Sequence, residues 1–369
     1  MSAAVYLLDG GAVTAVGLDR PQTCAGIRAR VTPFQLILRS SPFGAEQAVA
    51  RVPTHWGLRK TPADWLIHMA ARAVREVLDR RALDAASVTL LMIPPEPFRQ
   101  ALFDGIGPDE AGRHWTARFA DHVASRLALR FRRVITLDEG GAGAMAAALT
   151  RAQAELQDPD TFVLLASADG YVMEPEFDRL DRAQRLRTAG RPQGLTPGEG
   201  AACVLLSASS AIVPESRRPA GDPWLRVPSM RPLRLLGWAG RREKHSALTD
   251  AQSQGAALLE AMREAAGQSG TAEPAFGWVV SNSNGERYMA LEDALAHSRY
   301  FRTRRERLHI ELPAASVGEI GAAGGPLALL AAAHRLKHAG VSARRVMAAL
   351  SAEDGQRSAC VLAPLEQTS

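Results

Sequence analysis

The chain has 369 residues, 46% hydrophobic and 22% charged, with a formal charge of +5. That is an ordinary globular balance, long enough for two domains or one large duplicated one. No stretch approaches the roughly 20 unbroken apolar residues that span a membrane, so a soluble, cytoplasmic protein is expected. "AVYLLDGGAVTAV" reads as an opening strand or hairpin, and "PADWLIHMAARAVREVLDRRAL" has apolar residues at helical spacing. "SVTLLMIPP" is a buried strand stopped by two prolines, "HWTARFADHVASRLALRF" an amphipathic helix and "RRVITLDE" a strand. The run "GGAGAMAAALTRAQAEL" is a glycine turn followed by an alanine-rich helix, and "FVLLASADG" with "GEGAACVLLS" reads as a buried hairpin. A Pro-, Ser- and Arg-rich linker is expected at 212–232. Beyond it come a strand "LRLLGWAGR", a helix "DAQSQGAALLEAMREAAGQ" and a strand "AFGWVVSNSNG". They are followed by a helix "RYMALEDALAHSRYF", a strand "RLHIELPAAS", a helix after "GEIGAAGG", and a second hairpin, "RVMAALSAEDG" with "QRSACVLAP".

The two hairpins, each preceded by a Gly-rich turn and a small-residue helix, form a weak internal repeat. The expected fold class is therefore α/β in two duplicated halves, residues 1–211 and 233–369, with sheets covered by helices. A long insertion, residues 171–197, separates the strands of the first hairpin.

Cys24, Cys203 and Cys360 are too few and too far apart for a disulfide framework or a CxxC metal site, and a reducing cytoplasm suits them. Nearly all the positive charge is Arg. The densest cluster, "RTRRER" at 302–307, is either a solvated loop or helix end or a site for phosphate, nucleic acid or an acidic partner. No nucleic-acid-binding motif supports the second of these. His334 and His338 have the i, i+4 spacing of a metal pair, but no third ligand flanks them, so no metal is expected.

Four motifs in chain order resemble the thiolase superfamily and, within it, the β-ketoacyl-ACP synthases. "DGGAVTAVG" is similar to the family's "GxGxVTxxG". "GLTPGEGAACVLL" is similar to "GxxxGEGAxxxVL". "GEIGAAGG" is similar to "GHTxGAAG", one residue shorter, and "SACVLA" stands where the last family strand ends. The resemblance covers nearly the whole chain. It implies a five-layered α/β/α/β/α sandwich of two related halves, usually dimeric, and no cofactor.

The family's chemistry uses a Cys at a helix start to take up an acyl group, and two His, or His and Asn, to decarboxylate a malonyl thioester. "LDEGGAGAMA" aligns Gly140 with the Cys. "SNSNGERYMALE" puts Ser281 at the first His and matches the frame through Glu292, and "GEIGAAG" puts Glu319 at the second His. Gly140 can form no acyl-enzyme. Glu139, Glu286, Glu292 and Glu319, with Asn282 and Asn284, are expected near the former site. There, carboxylates either act as acid and base or, for Glu139 and Glu319, cap helix N-termini. The resemblance thus implies a degenerate homologue that works by binding, as a homodimer or as a heterodimer with a related synthase. An acyl carrier protein is a further candidate partner, and so is a secretion-system protein, because similar sequences accompany type VI secretion effector genes. The alternative is an enzyme or chain-length-type subunit acting on acyl or malonyl thioesters without a Cys nucleophile, through Glu319, Ser281 and backbone N–H groups.

Overall fold

The computed structural model describes residues 4–38, 46–53, 61–103, 115–158, 160–211, 230–338 and 345–365. In the first half, β1 (Val5–Thr14) is followed by α1 (Arg20–Arg28), a small hairpin of β2 (Gln35–Leu38) and β3 (Glu46–Val49), and α2 (Pro62–Arg81). Then come β4 (Val88–Met92), α3 (Phe119–Leu127), β5 (Arg133–Thr136), α4 (Met145–Glu155), β6 (Phe162–Gly170), α5 (Glu174–Arg182) and β7 (Glu199–Ser207). The second half runs β8 (Leu233–Arg242), α6 (Ala256–Ser269), β9 (Phe276–Ser281), α7 (Arg287–Tyr300) and β10 (His309–Glu311). It ends with α8 (Ala314–Val317), α9 (Gly324–His338), β11 (Arg345–Ser351) and β12 (Gln356–Pro364).

The strand order makes the duplication explicit. One half is ordered β1-β7-β6-β4-β5 and the other β8-β12-β11-β9-β10. In each, the first two pairings are antiparallel and the last two parallel. A short antiparallel contact between β1 and β8 joins them into one ten-stranded sheet. Most of the expected linker, residues 212–229, lies outside the described residues.

Side chains alternate between the two faces of each strand, so each half-sheet must be covered twice. Leu90, Leu164, Ala166 and Cys203 face an outer cluster with α2 and α3. Leu91, Leu165, Val204, Ala348 and Cys360 face an inner cluster with α4 and α9. Met347, Ala349 and Val361 face α6 and α7 on the far side. The result is five layers, α/β/α/β/α, with the small-residue helices α4 and α9 between the sheets. Gly and Ala permit that close approach: a Cβ on Gly325 would lie 3.3 Å from Met145 Sδ.

Local signals fix the element ends. Thr61 caps α2 by accepting from Asp64 N at 3.1 Å, with Pro62 at the first position, and Ala82 closes the helix in the left-handed region. Pro94 and Pro95 follow β4 and stop it, as expected. The elements not expected from sequence are α1, the β2–β3 hairpin, α5 within the 171–197 insertion, and α8, which replaces the end of the strand read in "RLHIELPAAS" once Pro313 breaks the extended run.

Candidate functional site

The two halves bring two equivalent turns together at the starts of α4 and α9. In the first, Gly140 and Gly141 lead into a short 3-10 turn, Ala142–Ala144, and in the second Glu319 and Ile320 lead into Gly321–Ala323. Gly140 and Glu319 therefore hold matching positions, each two residues before its turn.

Gly140 is enclosed by backbone. A Cβ there would lie 2.3 Å from the Pro95 carbonyl oxygen and 2.8 Å from that of Pro94, and Gly141 N donates to Pro94 O at 3.0 Å. The Glu96 side chain covers Gly141, whose φ of +80° suits glycine. Pro94, Pro95 and Glu96 thus occupy the space above the turn.

Glu319 is buried. Its Oε1 accepts from Gly321 N at 2.7 Å and its Oε2 from Asn284 Nδ2 at 2.6 Å. Desolvation pushes its pKa up to about 8, against the lowering effect of these two bonds, and Glu353 and Glu96 add to the rise. It is therefore largely protonated at neutral pH. The bond to Gly321 N serves one of the N–H groups of the turn ahead of α9, whose N-cap position is held by Ile320.

Around Glu319 lies a buried ionic cluster drawn from distant segments. Arg99 donates to Glu96 (3.2 Å), Asp169 (2.7 Å) and Gly170 O (2.8 Å), and its guanidinium lies 3.8 Å over the Tyr171 ring. Tyr171 OH donates to Glu353 at 3.0 Å. Glu353 also takes Arg179 (2.9 Å) and Arg185, and Arg185 grips Glu286 with two bonds of 2.6 and 2.8 Å. Asp169 further accepts from Ala322 N at 3.0 Å, at the start of α9. Arg185 and Arg179 hold the Glu353 carboxyl well below the usual range despite its burial. Burial pushes Glu96 up to about 7, opposed by Arg99 and reinforced by Glu353 and Asp169. Carboxyls outnumber guanidinium groups here, and the surplus is relieved by keeping protons on Glu319 and, in part, Glu96.

These side chains nearly fill the site. The remaining cavity, lined by Ala142, Tyr171, Asn282, Tyr288, Glu319 and Glu353 among others, is ≈ 20 Å³. That holds about one water, whereas ligand pockets run to about 300–1,000 Å³.

The other candidate residues are dispersed. The pleat of β9 sends Ser281 outward, where its Oγ donates to Asp293 on α7 at 2.6 Å, so Ser281 does not line the cavity. Asn282, the next residue, faces inward and pairs with the Ser351 backbone at 2.8 and 2.9 Å. Asp293 is pushed up to about 7 by burial, with Glu292 adding and Ser281 and Arg357 opposing. Glu292 is locked in a two-point ion pair with fully buried Arg357, and it also accepts from Ser351 Oγ (3.0 Å) and Tyr288 OH (3.1 Å). Glu139 is exposed beside an open groove with Arg241, Arg242 and Gln356, and the turn after it has no side-chain cap. Of the four glutamates expected to converge, only Glu286 and Glu319 do so, through Asn284. Solvation of the exposed turn and the pull of Arg357 separate the other two.

Sequence reasoning missed Glu96, Arg99, Asp169, Arg185, Glu353 and Arg357. One signal was present: Asp169 and Glu353 both sit in the acidic-Gly turns of the repeated hairpins. The three cysteines are buried and free. Burial raises each thiol pKa, that of Cys24 to about 12, which suits structural rather than reactive thiols. Among the described residues no group of three potential metal ligands occurs, and no helix is long and apolar enough to cross a membrane. His55, His114 and the side chain of His338 lie outside the described residues.

No family model matches the sequence, and no curated protein does. Solved structures do match over the whole chain. A ketosynthase in complex with its chain length factor from Xenorhabdus doucetiae is 13% identical, with a TM-score of 0.69 over 98% of both chains. The ishigamide ketosynthase/chain length factor is 16% identical, with a TM-score of 0.72 over 99% of this chain and 100% of that one. A β-ketoacyl synthase from Burkholderia phymatum is 14% identical, with a TM-score of 0.71 and the same coverage. The repeated strand order, the five layers and these matches together give the chain the thiolase-like α/β fold of the ketosynthases.

Proposed function

We propose that this chain is a catalytically degenerate ketosynthase-like protein that works by binding, as a homodimer or as the partner of a related synthase. The observation that carries the reading is the ≈ 20 Å³ of room left beside Glu319, where Arg185 and Glu353 line the cavity and an acyl substrate would need space. Gly140 offers no nucleophile, and its surroundings leave no room for one. The structural neighbours include ketosynthases with chain length factors and one bound to an acyl-carrier protein. A related synthase and an acyl carrier protein are accordingly the first partners to try. An adaptor role in the cytoplasm, beside a type VI secretion effector, is a more specific form of the same reading.

The second reading is an enzyme or chain-length-type subunit that decarboxylates or hydrolyses an acyl thioester without cysteine. Glu319 favours it, because a carboxyl with its pKa raised to about 8 can donate a hydrogen bond at neutral pH. Incubation with acyl- and malonyl-loaded carrier protein, read by intact-mass spectrometry, separates the two. The binding reading expects unmodified protein and no loss of CO₂. Acyl transfer or decarboxylation would replace it with the enzyme reading. Capture of partners from the native host then tests the adaptor form.

A further inference from the structure

The "RTRRER" loop is solvated but anchored at Thr303 and Arg305. Arg305 folds back to pair with Glu273, donates to Phe276 O at 3.0 Å and lies 5.0 Å over the Phe301 ring. Thr303 N donates to the same Glu273 at 3.0 Å. These contacts pin the loop and leave Arg302, Arg304 and Arg307 exposed, with no carboxylate partner among the described residues. Glu306, also exposed, offsets one of the three charges.

The loop runs directly into β10, which among the described residues bonds only to β9 and ends the sheet, so its outer edge has no strand partner there. Its inner face is occupied: His309 stacks on Trp278 at 4.3 Å, and Glu311 is held by Arg335 at 2.6 Å. Its outer face presents Ile310 and, just beyond the strand, Leu312, at 42% and 40% exposure. Charged gatekeepers normally protect such an edge; here three of the four exposed charges of the loop are positive, on a backbone anchored through Thr303 and Arg305.

We propose that the β10 edge and the arginines of the 302–307 loop form a docking surface for an acidic, extended peptide segment of a protein partner. The segment adds a strand to β10, sets apolar residues beside Ile310 and Leu312, and meets Arg302, Arg304 and Arg307 with carboxylates. Charge complementarity selects the occupant. Arginine's planar fork suits carboxylates, and an alternating strand suits the two apolar side chains on one face. The surface does not depend on whether the buried site retains chemistry.

The probe is a fluorescein-labelled peptide with an alternating Val/Glu core, read by fluorescence anisotropy against the intact chain. It should bind, lose affinity with salt, and lose roughly tenfold or more with Arg302→Glu, Arg304→Glu and Arg307→Glu combined. A control triple, Arg28→Glu, Arg130→Glu and Arg132→Glu, makes the same change in net charge on other exposed arginines and should bind as the native chain does. Hydrogen exchange at 309–312 should slow in the complex. The proposal is overturned by absence of binding, by equal loss in both triples, by unchanged exchange at β10, or by tighter binding of a single-stranded RNA of equal charge. Arg305 is untouched in both triples, so the loop keeps its anchor.

Discussion

Adding a single methyl group at Gly140 tests the description of the site directly. In Gly140→Ala the new Cβ would meet Pro95 O at 2.3 Å, Pro95 C at 2.7 Å and Pro94 O at 2.8 Å. Each is about 1 Å inside ordinary contact. All three atoms are main chain in a pair of prolines with fixed φ, so no rotamer change relieves them. Overpacking of this kind costs about 1–3 kcal/mol. Gly267, in α6, supplies an internal control: nothing lies within 4 Å of its absent Cβ. Gly267→Ala should therefore gain about 0.5–1 kcal/mol from helix propensity. Urea unfolding followed by tryptophan fluorescence should show the two variants separated by roughly 1.5–4 kcal/mol, with opposite signs relative to the native chain. Equal stability of both would refute the close approach of Pro94 and Pro95. Gly140→Cys should be destabilised in the same way and remain unacylated by acyl carrier protein. Its acylation would mean that the pocket is intact and only the nucleophile is missing.

Three further perturbations address the polar interior. Arg357→Met strands the buried Glu292 carboxylate and should cost about 3–5 kcal/mol, while adding Glu292→Leu should restore most of it; equal losses in single and double variants would argue against the pair. Glu319 and Asp293 have folded pKa values of about 8 and about 7, above the unfolded 4.5 and 3.8, so the folded state keeps protons that the unfolded state has lost. Stability should therefore fall as pH rises toward about 8, and urea midpoints from pH 6.5 to 8.5 should fall less in Glu319→Gln; parallel slopes would sink the assignment. Arg179→Met with Arg185→Met removes the guanidinium ties of the 171–197 insertion to Glu353 and Glu286, and amide exchange in α5 should rise roughly tenfold; unchanged exchange would show that the clasp is not what holds it.

The architecture was legible because periodicity and repetition report on burial, and burial organises this fold. Helices such as α2 and α6 carry apolar stripes, and the paired hairpins gave the duplication away. The elements missed lack that signal. In α1 only four residues are buried, although Asp19 caps it and Pro21 stands near its start. Strand β2 is almost wholly exposed. Helix α5 is dominated by charge, with Glu176, Phe177 and Leu180 its buried face. The site was legible only as a pair of turns. Alignment located Gly140 and Glu319, but a one-residue difference of pleat decides that Asn282 and not Ser281 faces inward. The ionic cluster spans residues 96 to 353, and no local pattern announces that Glu96 accepts from Glu353 N.

What the cluster does for the molecule follows from where its bonds run. Asp169 ends β6 in the first half and holds Ala322 N at the head of α9 in the second. Glu353 ties the β11–β12 turn to Arg179 and Arg185 of the insertion. The Glu319 backbone bonds with Thr196 and Gly198 at 2.8 and 2.9 Å. The cluster is thus a seam joining the two halves. A working site commonly carries polar groups that cost stability, and removing them strengthens the fold. A seam behaves in the opposite way. Asp169→Asn keeps the shape but withdraws one of the acceptors serving Arg99, Gly170 N and Ala322 N, leaving a buried guanidinium short of its partner. It should therefore destabilise by about 3–5 kcal/mol. A gain in stability on Asp169→Asn, measured by the same urea titration, would mark the cluster as a site held under functional strain and would count against the binding reading.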